Sequence, residues 1–327
     1  MIEQFLKDTG ATVPMIGGAM YPCSNPELVA AVSDARGIGM VQPLSLTFVH
    51  GHEFREGLRA IRAMTDKPIG FNALIEKSVK AYEERMVRWV DIALEEGVRF
   101  FITAMGNPRW VVERVHAVGG KVYHNTTDRK WSEKALEAGV DGLVLVNNQA
   151  GGHAGGISPQ ELLESMTDLG VPLICAGGIG DAAGYVEALR MGYGGVQMGT
   201  RFIASRECTA HEDYKRAIIE AKAKDIVLTT RISGVPVSVI KTPYIEAMGT
   251  EAGWLGRRLL QHRKTKHWMR AFYAGRSFLQ LRKSNRKGSA YKDFFQAGKS
   301  VEGIDAVEPV ADIVKRFADA ARSEGLL

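Results

Sequence analysis

At 327 residues, 45% of them apolar and 24% charged, the chain has the composition of an ordinary globular protein, with room for one barrel-sized domain and an added lobe. No apolar run approaches the ~20 residues that span a bilayer. The first residues lack the basic-then-apolar pattern of a secretory signal, and Cys23, Cys175 and Cys208 have no metal-ligand spacing, so free thiols in a reducing, cytoplasmic setting are expected. The net charge of +5 is local: 252–292 carries 12 basic residues and no acid, which leaves the remainder acidic.

Short apolar runs alternate with amphipathic stretches as far as about Phe202. Pro14–Gly17 reads as a first strand, followed by a helix entered through Asn25 and Pro26, a residue pair suited to a helix start. Ile38–Val41, Ile69–Asn72, Phe100–Thr103, Lys121–His124, Leu143–Val146, Leu173–Ala176 and Gly195–Met198 read as seven more strands. Helices are expected over Glu53–Met64, Val79–Glu96, after Asn107-Pro108, over Ser132–Ala138, from Ser158 and over Asp181–Met191. The strands lack clean alternation, as parallel strands covered on both faces do. Eight such units predict an α/β fold, a (β/α)8 TIM barrel, over 1–208, in preference to an open doubly wound sheet. Beyond it, 209–302 is expected to form a mostly helical, basic lobe over the substrate, and 303–327 a last helix returning to the barrel. The acid-free stretch reads as a docking surface for an anionic partner, or as a solvated or subunit-facing surface; a homo-oligomer is compatible with the latter.

In such barrels the chemistry sits in the loops at the strands' C-terminal ends. The longest signal is the loop Asn147–Gly156, where His153 stands among four glycines, Gly151, Gly152, Gly155 and Gly156. Glycine lets the backbone approach a ligand, and a histidine there titrates near neutral pH and suits a general base; the alternative is a surface loop with an incidental histidine. Gly177-Gly178 after the seventh strand and Gly199-Thr200 after the eighth stand where barrel enzymes bind phosphate on backbone amides. His50-Gly51-His52 has metal spacing but no third ligand, and reads as a solvated loop.

The stretches GGAM, GFNALI, GNP, AGGHAGG, ICAGGIGD and GVQMGTRF, in this order, resemble the nitronate monooxygenase family, whose relatives include flavin-dependent enoyl-acyl-carrier-protein reductases and NADH:quinone reductases. The resemblance implies an FMN-binding barrel. It implies that Gly18, Ala19 and Met20 pass the flavin ring, that Asn72 hydrogen-bonds it, and that His124 lies near it. Gly151, Gly152 and Ala176 would line the cofactor, and Gly177, Gly178, Met198, Gly199 and Thr200 would hold its phosphate end. His153 would be the base that removes a nitroalkane proton, with O2 completing the oxidation. The main alternative within the resemblance is an NADH- or NADPH-dependent reduction of a quinone or enoyl thioester. Asn147-Asn148-Gln149 and the acid-free stretch depart from the family pattern and bear on the substrate more than on the cofactor. A nucleotide dehydrogenase of the inosine monophosphate type would need a cysteine after the sixth strand, where this chain has none.

Overall fold

The computed structural model describes residues 1–76, 79–230, 236–250 and 295–327. Eight parallel strands close into a barrel in chain order. They are β1 (Met15–Gly17), β2 (Ile38–Val41), β3 (Ile69–Leu74), β4 (Phe100–Ala104), β5 (Lys121–Thr126), β6 (Gly142–Val146), β7 (Leu173–Ala176) and β8 (Gly195–Met198). Closure comes from β8 pairing with β1 in the register Met15↔Val196, Ile16↔Gln197 and Gly17↔Met198. The described helices are α1 (Ile2–Thr9), α2 (Pro26–Asp34), α3 (Phe54–Met64), α4 (Lys80–Glu95), α5 (Arg109–His116), α6 (Arg129–Glu137), α7 (Pro159–Glu164), α8 (Ala182–Met191), α9 (Thr200–Ile203), α10 (Glu212–Glu220), α11 (Pro243–Met248) and α12 (Val310–Ser323). Ser158 and Glu161 form the reciprocal capping box at α7 that their spacing predicts.

Two apolar layers result. Side chains of successive strand residues point to opposite faces. One set, with Ile16, Ile38, Met40, Phe100, Ile102, Tyr123, Val144, Ile174 and Ala176, packs together inside the barrel. The other, with Phe71, Phe101, Val122, Leu143, Leu145, Cys175, Val196 and Met198, packs outward against the helices. The sequence reading did not anticipate α1. Its Phe5 inserts edge-on against Phe100 and Tyr123, and the Tyr123 hydroxyl donates to Asp8 over 2.9 Å, so α1 seals the end of the lumen opposite the loops. Gly10 ends α1 in the left-handed region at φ 71°.

The last helix, α12, starts at Val310, after Pro309, and packs on α2 and α8. Arg201, almost wholly buried, anchors the chain that leads into it: its guanidinium donates to the carbonyls of Ala204 (2.7 Å) and Ala306 (2.6 Å) and lies 3.4 Å from Glu308. The described part of the expected lobe contains α10, α11 and an antiparallel pair, β9 (Ile226–Thr229) with β10 (Val237–Ile240). The chain is back on the barrel by Phe295, which stacks on Tyr214 with ring centroids 4.7 Å apart. The acid-free stretch 252–292 and its proposed docking role lie outside the described residues. Among the described residues no helix is long and apolar enough to cross a membrane.

Candidate active site

Alternation decides which residues look into the lumen at the loop end. On β3, Ile69, Phe71 and Ala73 face outward, so Asn72 faces in. On β8, Val196 and Met198 face outward and Gln197 faces in; Gly18 follows β1 beside Gln197, and its amide donates to the Met198 carbonyl over 2.8 Å. Ala176 faces in from β7. The inward strand positions at this end thus include Asn72, Val146, Ala176 and Gln197, without a charged side chain among them.

Two expected contacts shift by one residue. His124 shares the outward face of β5 with Val122, since Tyr123 between them is in the lumen. It is buried against Thr103, whose hydroxyl lies 2.7 Å from Nδ1 and 3.1 Å from the Tyr123 carbonyl. Burial holds its pKa down to about 4, so the ring is neutral. The lumen position of β5 belongs to Asn125, whose Oδ1 is shut off from solvent and has no hydrogen-bond partner among the described residues. Met198 likewise turns its side chain into the outer core and leaves only its backbone at the mouth, with Gln197 as the inward residue. Strands apolar on both faces carry no alternation in sequence from which the last inward residue could be read; parity counted from Tyr123 would have found Asn125.

The loop after β6 is held on three sides. Asn147, fully buried, accepts from the Gln149 amide at 2.8 Å and donates to the Gly177 carbonyl at 3.1 Å, which ties this loop to the one after β7. The Gly152 carbonyl accepts from the Ser238 amide of β10 at 2.7 Å. The Gln149 carbonyl accepts from the Lys299 amide at 2.8 Å. The loop's departure from the family pattern at Asn147 therefore has a local role as a clamp between loops. His153, at the tip, reaches solvent yet is crowded enough for desolvation to hold its pKa below the ordinary histidine value. Its imidazole has no partner among the described residues.

Gly177 and Gly178 adopt φ of 121° and 90°, where a side chain is strained, and a Cβ on either would collide with Asn147 or Gln149. The amides of Gly178 and Ile179 donate to no acceptor among the described residues. Thr200 opens α9, so its amide has no partner within that helix. Its hydroxyl accepts from the Gly298 amide at 3.1 Å, which leaves the hydroxyl hydrogen free to donate. These donors suit a phosphate, and the neutral, amide-bearing lumen suits an uncharged heteroaromatic ring, so the residues present fit FMN.

Sequence reasoning missed the return segment 295–300 as part of the site. Gly298 packs so closely that a Cβ there would lie 2.6 Å from the Gln149 carbonyl oxygen and 2.7 Å from the Gly151 nitrogen. The glycine in Ala297-Gly298-Lys299 was the one available signal. Gln42, which follows β2, caps the turn there by accepting from the amides of Leu44 (2.6 Å) and Ser45 (3.1 Å). Among the described residues no group of three His, Cys, Asp or Glu side chains is arranged to hold a metal.

Known proteins resemble this arrangement. A Mycobacterium tuberculosis protein, (3aS,4S,5R,7aS)-5-hydroxy-7a-methyl-1-oxo-octahydro-1H-indene-4-carboxyl-CoA dehydrogenase, is 29% identical over 243 residues, 73% of this chain and 66% of that one. A Rhodococcus jostii protein of the same name is 26% identical, and the match spans 65% of its length, so the chain matches just under two thirds of both. Nitronate monooxygenase of Pseudomonas aeruginosa is 29% identical over 279 residues, 72% of this chain and 78% of that one. Among solved structures, FabK from Thermotoga maritima superposes with a TM-score of 0.80 at 25% identity, covering 98% of this chain and 96% of that chain. The family described as nitronate monooxygenase matches residues 3–319. A closed barrel with a glycine-bound histidine loop after β6, and a family match that spans nearly its whole length, place this chain in the nitronate monooxygenase family.

Proposed function

We propose that this chain is an FMN-dependent oxidoreductase whose His153 takes a proton from an acidic C–H bond at the mouth of the barrel, with nitroalkanes and alkyl nitronates as the leading substrates and O2 as oxidant. The observation that carries the reading is His153 itself. It is solvent-accessible, has no protein partner among the described residues, and is held below its ordinary pKa, so it meets a substrate as neutral imidazole. The amides of Gly178, Ile179, Gly199 and Thr200 and the Thr200 hydroxyl would hold the FMN phosphate. Gly18, Ala19 and Met20 would pass the ring with backbone, Asn72 would hydrogen-bond it, and Gly151, Gly152, Gly177 and Ala176 would form the wall beneath His153. FMN, when bound, supplies the electron acceptor. His153 would hold the abstracted proton on its free ring nitrogen, and the clamp from Asn147, Ser238 and Lys299 holds the backbone of the loop that carries it.

A second reading has a specific support: the similarity to the carboxyl-CoA dehydrogenases and to FabK. In that reading NADH or NADPH would supply the electrons for reducing an enoyl thioester, and the same histidine would pass a proton to the carbon beside the thioester carbonyl. The visible spectrum of the flavin-loaded protein under anaerobic titration separates the two. Bleaching by ethylnitronate and not by NADH or NADPH supports the nitronate reading. Prompt bleaching by a nicotinamide moves the assignment to thioester or quinone reduction. A protein that cannot be loaded with FMN overturns both.

A further inference from the structure

The site reading leaves two thiols unused, and they meet. Cys23 lies in the loop after β1 and Cys208 follows α9; both are buried and neither is in a disulfide. Their meeting is fixed by Asn25. Its carboxamide, fully buried, donates to the Glu207 carbonyl over 2.8 Å and accepts from the Thr209 amide over 3.2 Å, so it grips the chain on either side of Cys208. The Asn25 amide donates to the Cys23 carbonyl over 3.0 Å, and the Cys208 thiol donates to the same carbonyl over 3.5 Å. The two sulfurs are within hydrogen-bonding reach of each other. The thiols are not equivalent. A hydrogen bond from Cys23, another from the Ala210 amide and the nearby Lys215 ammonium hold Cys208 below the ordinary thiol pKa, whereas its contact with Cys208 and burial hold Cys23 well above it. Cys208 also lies just under the surface, since Arg206 and Thr209 close by in the chain are exposed, and a water-sized oxidant needs only a small local opening to reach it.

We propose that Cys23 and Cys208 form a peroxide-responsive dithiol, in which Cys208 is oxidised first and Cys23 then closes a reversible disulfide that staples the loop after β1 to the chain after α9. The Cys208 thiolate attacks one oxygen of hydrogen peroxide. The O–O bond breaks, and the departing hydroxide takes up a proton and leaves as water. The Cys23 thiolate attacks the sulfur of the resulting sulfenic acid, the S–S bond forms, and a second hydroxide leaves as water with the Cys23 proton. The thiol pair is oxidised and the peroxide reduced; a dithiol reductant reverses the change. Ser24 accepts from the Met20 amide over 2.8 Å and α9 begins at Thr200, so the staple joins two segments that border the mouth. The inference does not depend on the FMN reading.

The test uses the full chain, reduced, freed of reductant and exposed to hydrogen peroxide, with thiols then counted in denaturant and linked peptides mapped by mass. Cys23 and Cys208 should be lost together and Cys175 kept, with one linked peptide pair within the chain. The pair is 185 positions apart, so the cross-link should raise the urea midpoint, and dithiothreitol should reverse the rise. Cys23→Ser should stop at a Cys208 sulfenic acid that dimedone traps. In Cys208→Ser, Cys23 should oxidise at least about 10-fold more slowly than that. Survival of all thiols under peroxide that oxidises glutathione in the same time overturns the proposal, as does a bond to Cys175 or between chains. Equal rates in the two variants overturn the assignment of Cys208 as the attacking thiol.

Discussion

Two histidines of this barrel, 29 residues apart, are neutral for the same reason and placed for opposite ends. Desolvation lowers both pKa values. His153 stands in a glycine loop open to solvent, where a neutral ring can take a proton from substrate. Replacing it with Ala should leave FMN bound and lower kcat/KM for neutral nitroalkanes by about 10²–10⁴, with a far smaller effect on preformed nitronates, measured in steady state on both forms. Equal losses on both would remove the base role. His124 is sealed against Thr103 and has a different consequence. Its unfolded pKa is near 6.5 and its folded pKa about 4, so below pH 6.5 the unfolded chain binds a proton that the folded chain refuses. Stability is therefore unaffected above pH 6.5 and falls as pH drops towards 4, by up to ~3 kcal/mol from this residue. His124→Asn, whose amide can replace Nδ1 against Thr103, should flatten that part of the stability profile in urea unfolding between pH 7 and 4.5. An unchanged slope would place the acid sensitivity elsewhere.

At the scale of elements, the site depends on loops that hold one another. Asn147 links the loops after β6 and β7, β10 supports Gly152, and the return segment near Gly298 fills the angle between the β6 loop and α9. Asn147→Ala would leave the half-buried Gln149 amide and Gly177 carbonyl without their Asn147 partner. The expected result is a loss of about 2–3 kcal/mol in unfolding free energy together with at least ~10-fold weaker FMN binding. Fluorescence titration and chemical denaturation on the same preparation check both, and a stability loss with full FMN affinity would show that the clamp does not shape the cofactor site. The strands and their helices were legible in sequence because each is a local pattern: an apolar run, a turn glycine, a cap such as Ser158 with Glu161. Asn125 and Gln197 were not, because strands buried on both faces give no polar alternation from which to count. The role of Gly298 was not either, because its partners Gln149 and Gly151 are far away in the chain.

For the whole molecule, the outer helical ring is completed by the final helix, which packs on α2 and α8. Phe317 of α12 is fully buried, with its ring centroid 5.8 Å from that of Tyr185 on α8. Phe317→Ala should cost about 3–5 kcal/mol, seen as a lower urea midpoint, while the folded fraction keeps its FMN affinity, because the cavity opens on the outer face and not at the mouth. A parallel loss of FMN affinity would mean that the outer ring and the mouth are coupled. The sequence by itself determined that eight β-α units close into a barrel and that the histidine loop after β6 and the glycines after β7 and β8 share one end. Strand period and turn chemistry are local, and a parallel barrel leaves only one end for those loops. Only the tertiary structure decided that Asn125 and not His124 faces the lumen, that α1 seals the far end, and that residues from β10 and the return segment hold the His153 loop. Those outcomes depend on side-chain parity within doubly buried strands and on contacts between distant segments, neither of which leaves a local mark in the chain.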